Sequence, residues 1–100
     1  MPPPPAPRRV LTPLQVMITE FACENYNTGY ENNGQQCSND QVWAFWSTAI
    51  KYMEAQDWII AYFGFGVMRD MSGVNPDNQL MVPSTGKPTA LGSKYLAQSW

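Results

Sequence analysis

Glu20 is the one charged residue, next to last, of the run Leu-Gln-Val-Met-Ile-Thr-Glu-Phe at residues 14–21, which is otherwise apolar and β-branched. Such a run predicts a strand buried on both faces. A carboxylate at its far end, just ahead of a loop, stands where an oxygen nucleophile or a general base can meet a substrate. The plainer alternative is a strand-end glutamate that reaches solvent or pairs with a lysine. Glu24 and Glu31 fall in the following loop, and Asp70 and Asp77 in a later one; loop acids of this kind are usually solvated. The chain has no His and two Cys, which removes imidazole chemistry, the commonest zinc sites and any four-thiolate cluster. Chemistry here must come from carboxylates, and the reading calls for no cofactor and no metal.

Thirteen of the 100 residues are aromatic and fourteen charged, a composition that suits a buried core or sugar stacking rather than disorder. Tyr26, Tyr30, Tyr62, Phe63 and Phe65 gather near the expected strand ends, where flat rings either cover the apolar faces of sugars or pack a core. Two carboxylates flanking a glycosidic bond are the machinery of sugar hydrolysis, and Glu20 qualifies as one of them. Trp43, Phe45 and Trp46 instead follow a helical apolar stripe and read as core. Cys23 and Cys37 enclose a polar loop and could join as a disulfide. Closing about 15 residues in this way stabilises a fold by about 3 kcal/mol; the alternative is two free thiols in a reducing compartment.

The elements that position these groups follow from periodicity. Strict alternation along the first strand puts Val16, Ile18 and Glu20 on one side and Met17, Thr19 and Phe21 on the other. Residues 22–39, with Asn33-Gly34, read as a long loop. Ser38 and Gln41 form a capping box ahead of Val42, Phe45, Trp46, Ala49, Ile50 and Met53, predicting a helix over 40–56. Residues 58–65 read as a second buried strand closed by Gly64 and Gly66. Residues 69–87 carry turn signals at Asn75-Pro76 and Thr85-Gly86, and Thr89 caps a terminal helix with Leu91, Tyr95 and Leu96 on one face. This α/β pattern of two consecutive βα units is one slice of a doubly wound sheet or of an eight-fold barrel. A full barrel takes about 250 residues, so two units leave both sheet edges unpaired.

Residues 1–13 hold six of the nine prolines and read as a disordered, polyproline-like leader or an artefact of the gene boundary. Residues 14–100 form the domain. The net charge of −2 with six Lys and Arg provides no basic stripe for nucleic acid. The longest apolar run, 58–68, is too short and too glycine-broken to span a membrane, and no signal peptide is visible at the start.

Taken together, Ile18-Thr19-Glu20-Phe21-Ala22-Cys23, Ala61-Tyr62-Phe63-Gly64-Phe65-Gly66 and Gly86-Lys87-Pro88-Thr89-Ala90-Leu91-Gly92-Ser93-Lys94-Tyr95-Leu96 resemble glycoside hydrolase family 128, the alkali-sensitive linkage protein-like catalytic domains. The resemblance covers about residues 14–97 and implies the C-terminal fragment of a (β/α)8 TIM-type barrel, about its seventh and eighth βα units. It implies a retaining hydrolase of the endo-β-1,3-glucanase type acting on fungal cell-wall glucan, with Glu20 as nucleophile and Tyr26, Tyr30, Tyr62 and Phe65 against substrate. The family's acid/base glutamate belongs to the fourth strand, upstream of these motifs, so the implied machine is incomplete and inactive alone. The implied partner is β-glucan or a related polysaccharide, and the implied location is extracellular or cell wall. Met17 and Gly64 stand where the family usually has Trp, removing aromatic surface near the cleft, and Pro88 replaces a common Leu. Two other readings stand beside this one: a non-catalytic cell-wall or glucan-binding protein, and an unrelated small disulfide-linked α/β domain.

Overall fold

The computed structural model describes residues 2–4, 14–26, 35–71 and 73–100; Tyr30, Glu31 and most of the 1–13 leader lie outside them. The elements run β1 (Val16–Phe21), α1 (Asn39–Glu54), β2 (Ile59–Gly64), a 3-10 helix (Pro76–Asn78) and α2 (Ala90–Ala97). β1 and β2 pair in parallel as a two-stranded sheet, with α1 as the connection that parallel strands require. The strand, loop, helix, strand order follows the sequence expectation. The 3-10 helix inside the second long loop does not, because three residues carry no periodic signal.

α1 begins where its capping box puts it. The Gln41 amide donates to Ser38 Oγ at 3.2 Å, and the Ser38 amide donates to Gln41 Oε1 at 2.9 Å, satisfying two otherwise orphaned donors. Asp40 in the first turn and Lys51 in the last complement the helix dipole. Val42, Trp46, Ile50 and Met53 form its buried stripe and meet Leu80 and Leu91 in one core. α2 starts at Thr89, whose Oγ1 accepts from the Gly92 amide at 3.0 Å and donates to the Gln79 carbonyl at 2.6 Å. One side chain thus caps the helix and fastens it to the loop below.

Strict alternation along β1 is corrected by the structure. Val16 pairs with Ile59 and Met17 with Ala61, so β2 carries one extra residue there; Ile18 pairs with Tyr62 and Phe21 with Gly64, so β1 carries one extra residue next. Each extra residue reverses which face the following side chains take. Ile18 and Phe21 consequently both pack on the helix-side core, while Thr19 and Glu20 are both exposed. Regular alternation would have turned Glu20 under the helices with Val16 and Ile18. On the face away from the helices, Met17, Ile60 and Phe63 are each more than half exposed, an apolar row with no cover among the described residues.

Phe21 packs on Trp46 with ring centroids 4.6 Å apart, and Tyr95 meets the same indole edge-on at 5.5 Å. Gly64 lies beneath that indole: a Cβ there would fall inside van der Waals contact of Trp46 Cη2 and Cζ3. Position 64 therefore faces the helix layer, and its glycine makes room for Trp46 rather than removing an aromatic from the cleft. Gly64→Ala should lower the unfolding free energy by about 1–3 kcal/mol through overpacking, read as a reduced denaturant midpoint with unchanged slope.

Candidate active site

Glu20 is the penultimate residue of β1, at the carboxyl end of the parallel pair. Its carboxylate has no hydrogen bond or ion pair with any described residue. It lines a cleft of about 370 Å³ with Phe21, Ala22, Glu24, Tyr26, Phe65 and Val74, at the small end of the range for ligand pockets. Tyr26 is well exposed and Phe65 half-buried, so two aromatic faces and one open carboxylate share a single depression. A carboxylate in that setting can attack or deprotonate a group laid against the rings.

The wall of the cleft is braced. Cys23 and Cys37 are joined as a disulfide with Cα atoms 6.1 Å apart. The Glu24 carboxylate accepts the Asn75 amide N–H. That engagement sets Glu24 apart from Glu20: it ties the loop after β1 to the loop after β2. Asn75 Nδ2 donates to the Cys37 carbonyl at 3.0 Å, extending the tie across the disulfide. A second groove of about 480 Å³, lined by Arg69, Asp70, Gln79 and neighbours, adjoins at Val74. Its long side chains are occupied, with Arg69 donating to the Pro83 carbonyl at 3.1 Å and Gln79 to the Met68 carbonyl at 2.9 Å.

Tyr62 does not line the Glu20 cleft. Its ring packs against Phe21 at 6.0 Å and Tyr95 at 6.4 Å. Its hydroxyl donates to the Glu54 carboxylate and lies 2.7 Å from Gln98 Oε1. The extra residue in β2 turns this side chain toward the helices, where it joins the C-terminal ends of α1 and α2. The sequence had also no way to single out Ala22 and Val74 as cleft walls, since small and apolar loop residues carry no chemical signal. Among the described residues, no group of three or more His, Cys, Asp and Glu could hold a metal.

Residues 9–95 match the family model of the glycosyl hydrolase catalytic core. The chain belongs to that family. It is similar to the crystal structure of a GH128 (subgroup V) exo-β-1,3-glucanase from Cryptococcus neoformans, with a TM-score of 0.66 and 29% identity over 79% of this chain and 31% of that one. This GH128-like domain thus spans about a third of that enzyme's length. None of the curated proteins matches it. Among the described residues, no helix is long and apolar enough to cross a membrane.

Two measurements check the supports of this GH128-like site. Reducing the disulfide, or replacing both cysteines by Ala, should cost about 3 kcal/mol of unfolding free energy for a loop of this length, measured by denaturant titration with and without reductant. Burial, reinforced by the hydrogen bond to Glu54, pushes the Tyr62 phenol well above its ordinary value. A raised folded-state value means that the neutral phenol's stabilisation is fully present below the unfolded pKa of about 10 and is lost as pH rises beyond it. The stability gap between the native chain and Tyr62→Phe should therefore be constant below about pH 10 and close above it.

Proposed function

We propose that this chain forms about the seventh and eighth βα units of a (β/α)8 barrel, and that Glu20 is the nucleophile of a retaining glycoside hydrolase acting on β-1,3-glucan. The carrying observation is Glu20 itself: a carboxylate without a partner among the described residues, at the carboxyl edge of a parallel sheet, in a cleft walled by Tyr26 and Phe65. Active sites of such barrels gather at that edge. The exposed row of Met17, Ile60 and Phe63 is the surface that a barrel interior, filled by inward side chains, would cover. The similar enzyme is an exo-β-1,3-glucanase, which favours attack at a chain end over the endo type expected from sequence.

In this reading a Glu20 oxygen attacks the anomeric carbon and the glycosidic C–O bond breaks. The departing oxygen takes a proton from a second carboxylic acid, and water then hydrolyses the glycosyl ester. Glu24 is a poor second acid because the Asn75 amide engages it, so the proton donor is assigned, by resemblance, to a fourth strand upstream of these motifs. The chain alone then binds glucan without turning it over. The substrate is a wall polysaccharide, and a disulfide suits the oxidising space outside the cell.

The same engaged Glu24 favours a second reading, a glucan-binding module with no covalent chemistry. A 2-deoxy-2-fluoro-β-glucosyl fluoride separates the two, because fluoride leaves without an acid's proton and the fluorinated ester hydrolyses slowly. Mass analysis should find one glucosyl adduct on the peptide bearing Glu20 and none in Glu20→Gln. Glucan retention without any adduct would support the binding module instead. An adduct that persists in Glu20→Gln would remove Glu20 from its assigned role.

A further inference from the structure

Asn78 is fully buried, and a buried amide is costly unless each of its groups is paired. Here all are. Oδ1 accepts from the Cys23 amide at 2.7 Å and from the Trp46 indole N–H at 2.9 Å; Nδ2 donates to the Cys23 carbonyl at 2.8 Å and to the Asn75 carbonyl at 3.0 Å. The pair of bonds to Cys23 is the exchange that a peptide group of a neighbouring strand would make. It falls where the strand ladder stops. The Phe65 amide donates to the Phe21 carbonyl at 2.9 Å, after which the backbone turns away at Gly66, where a Cβ would strike the Asn78 carbonyl. The Asn78 side chain then takes over as the next rung.

We propose that Asn78 is the positioning residue of the Glu20 cleft: its amide substitutes for a missing strand peptide and holds Ala22–Glu24 in line, keeping Glu20 open to a glucan. Through the indole bond it also registers this segment against α1, so the cleft wall and the core share one anchor. Glu24 reaches Asn75 from that held segment, and the disulfide leaves from Cys23 itself. The proposal rests on the glucan reading for its ligand but not for its geometry.

The test uses the oxidised full chain, isotope-labelled, titrated with a β-1,3-linked glucose oligomer. Asn78→Asp keeps both acceptor contacts and removes both donations. It should weaken glucan binding by about tenfold or more, speed exchange of the Cys23 and Glu24 amides, and shift the Glu20 carboxyl resonance. Met53→Ala, which opens a cavity in the same core two turns along α1 from Trp46, serves as the control for lost stability and should hold affinity within about twofold and leave the Glu20 resonance in place. If Asn78→Asp fails to fold, the uncharged Asn78→Ser carries the same comparison. Folded Asn78 variants with native affinity and native Cys23 exchange would overturn the proposal, as would equal losses in Met53→Ala. If the native chain binds no glucan, the glucan reading fails, and Asn78 is judged on Cys23 exchange and the Glu20 resonance: changes confined to its variants support it, and unchanged spectra overturn it.

Discussion

An indole that is fully buried must place its N–H on an acceptor inside the protein, and for Trp46 that acceptor is the side chain of Asn78. Most of the structure depends on that meeting. The ring of Trp46 is the centre of the aromatic cluster of Phe21, Tyr95 and Trp100, so α1, β1 and α2 all converge on it. Its polar corner is satisfied by a loop residue that also pairs with the backbone just past β1. A hydrophobic core and a cleft wall are thereby built from the same contact. A buried polar network of this kind stabilises and specifies only when every member is paired, which is the condition met here.

The sheet departs from regularity where the site needs it to. Two-residue alternation would bury Glu20 with Ile18, and an ionised carboxylate beneath the helices would be strongly disfavoured. The extra residue between Ile18 and Phe21 sends a phenylalanine into the core in its place and leaves the acid in the cleft. The matching irregularity in β2 does the reverse for Tyr62, turning it from the sheet surface to a joint between two helix ends. Both strands make these changes while keeping their ladder, because each has one compensating step and the pairing resumes in register.

Around Glu20 the bracing is polar and local. A disulfide, a glutamate on a backbone amide and two asparagine side chains fix the loops after both strands. The apolar row on the far face of the sheet has no counterpart among these supports. The described residues are thus braced in the loops around the acid and uncovered along the sheet face away from the helices, which accords with a domain spanning about a third of its solved relative.

The order of elements, the capping box, the α1 stripe, the Thr89 cap and the place of Glu20 at a strand end were legible in the residues alone, because each depends on neighbours a few positions away. The face on which Glu20 and Tyr62 fall was not, because a one-residue slip in pairing leaves no mark on local periodicity and is decided by which side chains fit against Trp46. Asn78 was equally hidden: an asparagine in a turn-rich stretch looks solvated. Its role exists only once residues 55 positions apart, Asn78 and Cys23, are brought within hydrogen-bonding distance. Local propensity set the pieces and their sequence; long-range packing and the need to satisfy buried polar atoms decided where the acid points and what holds it there.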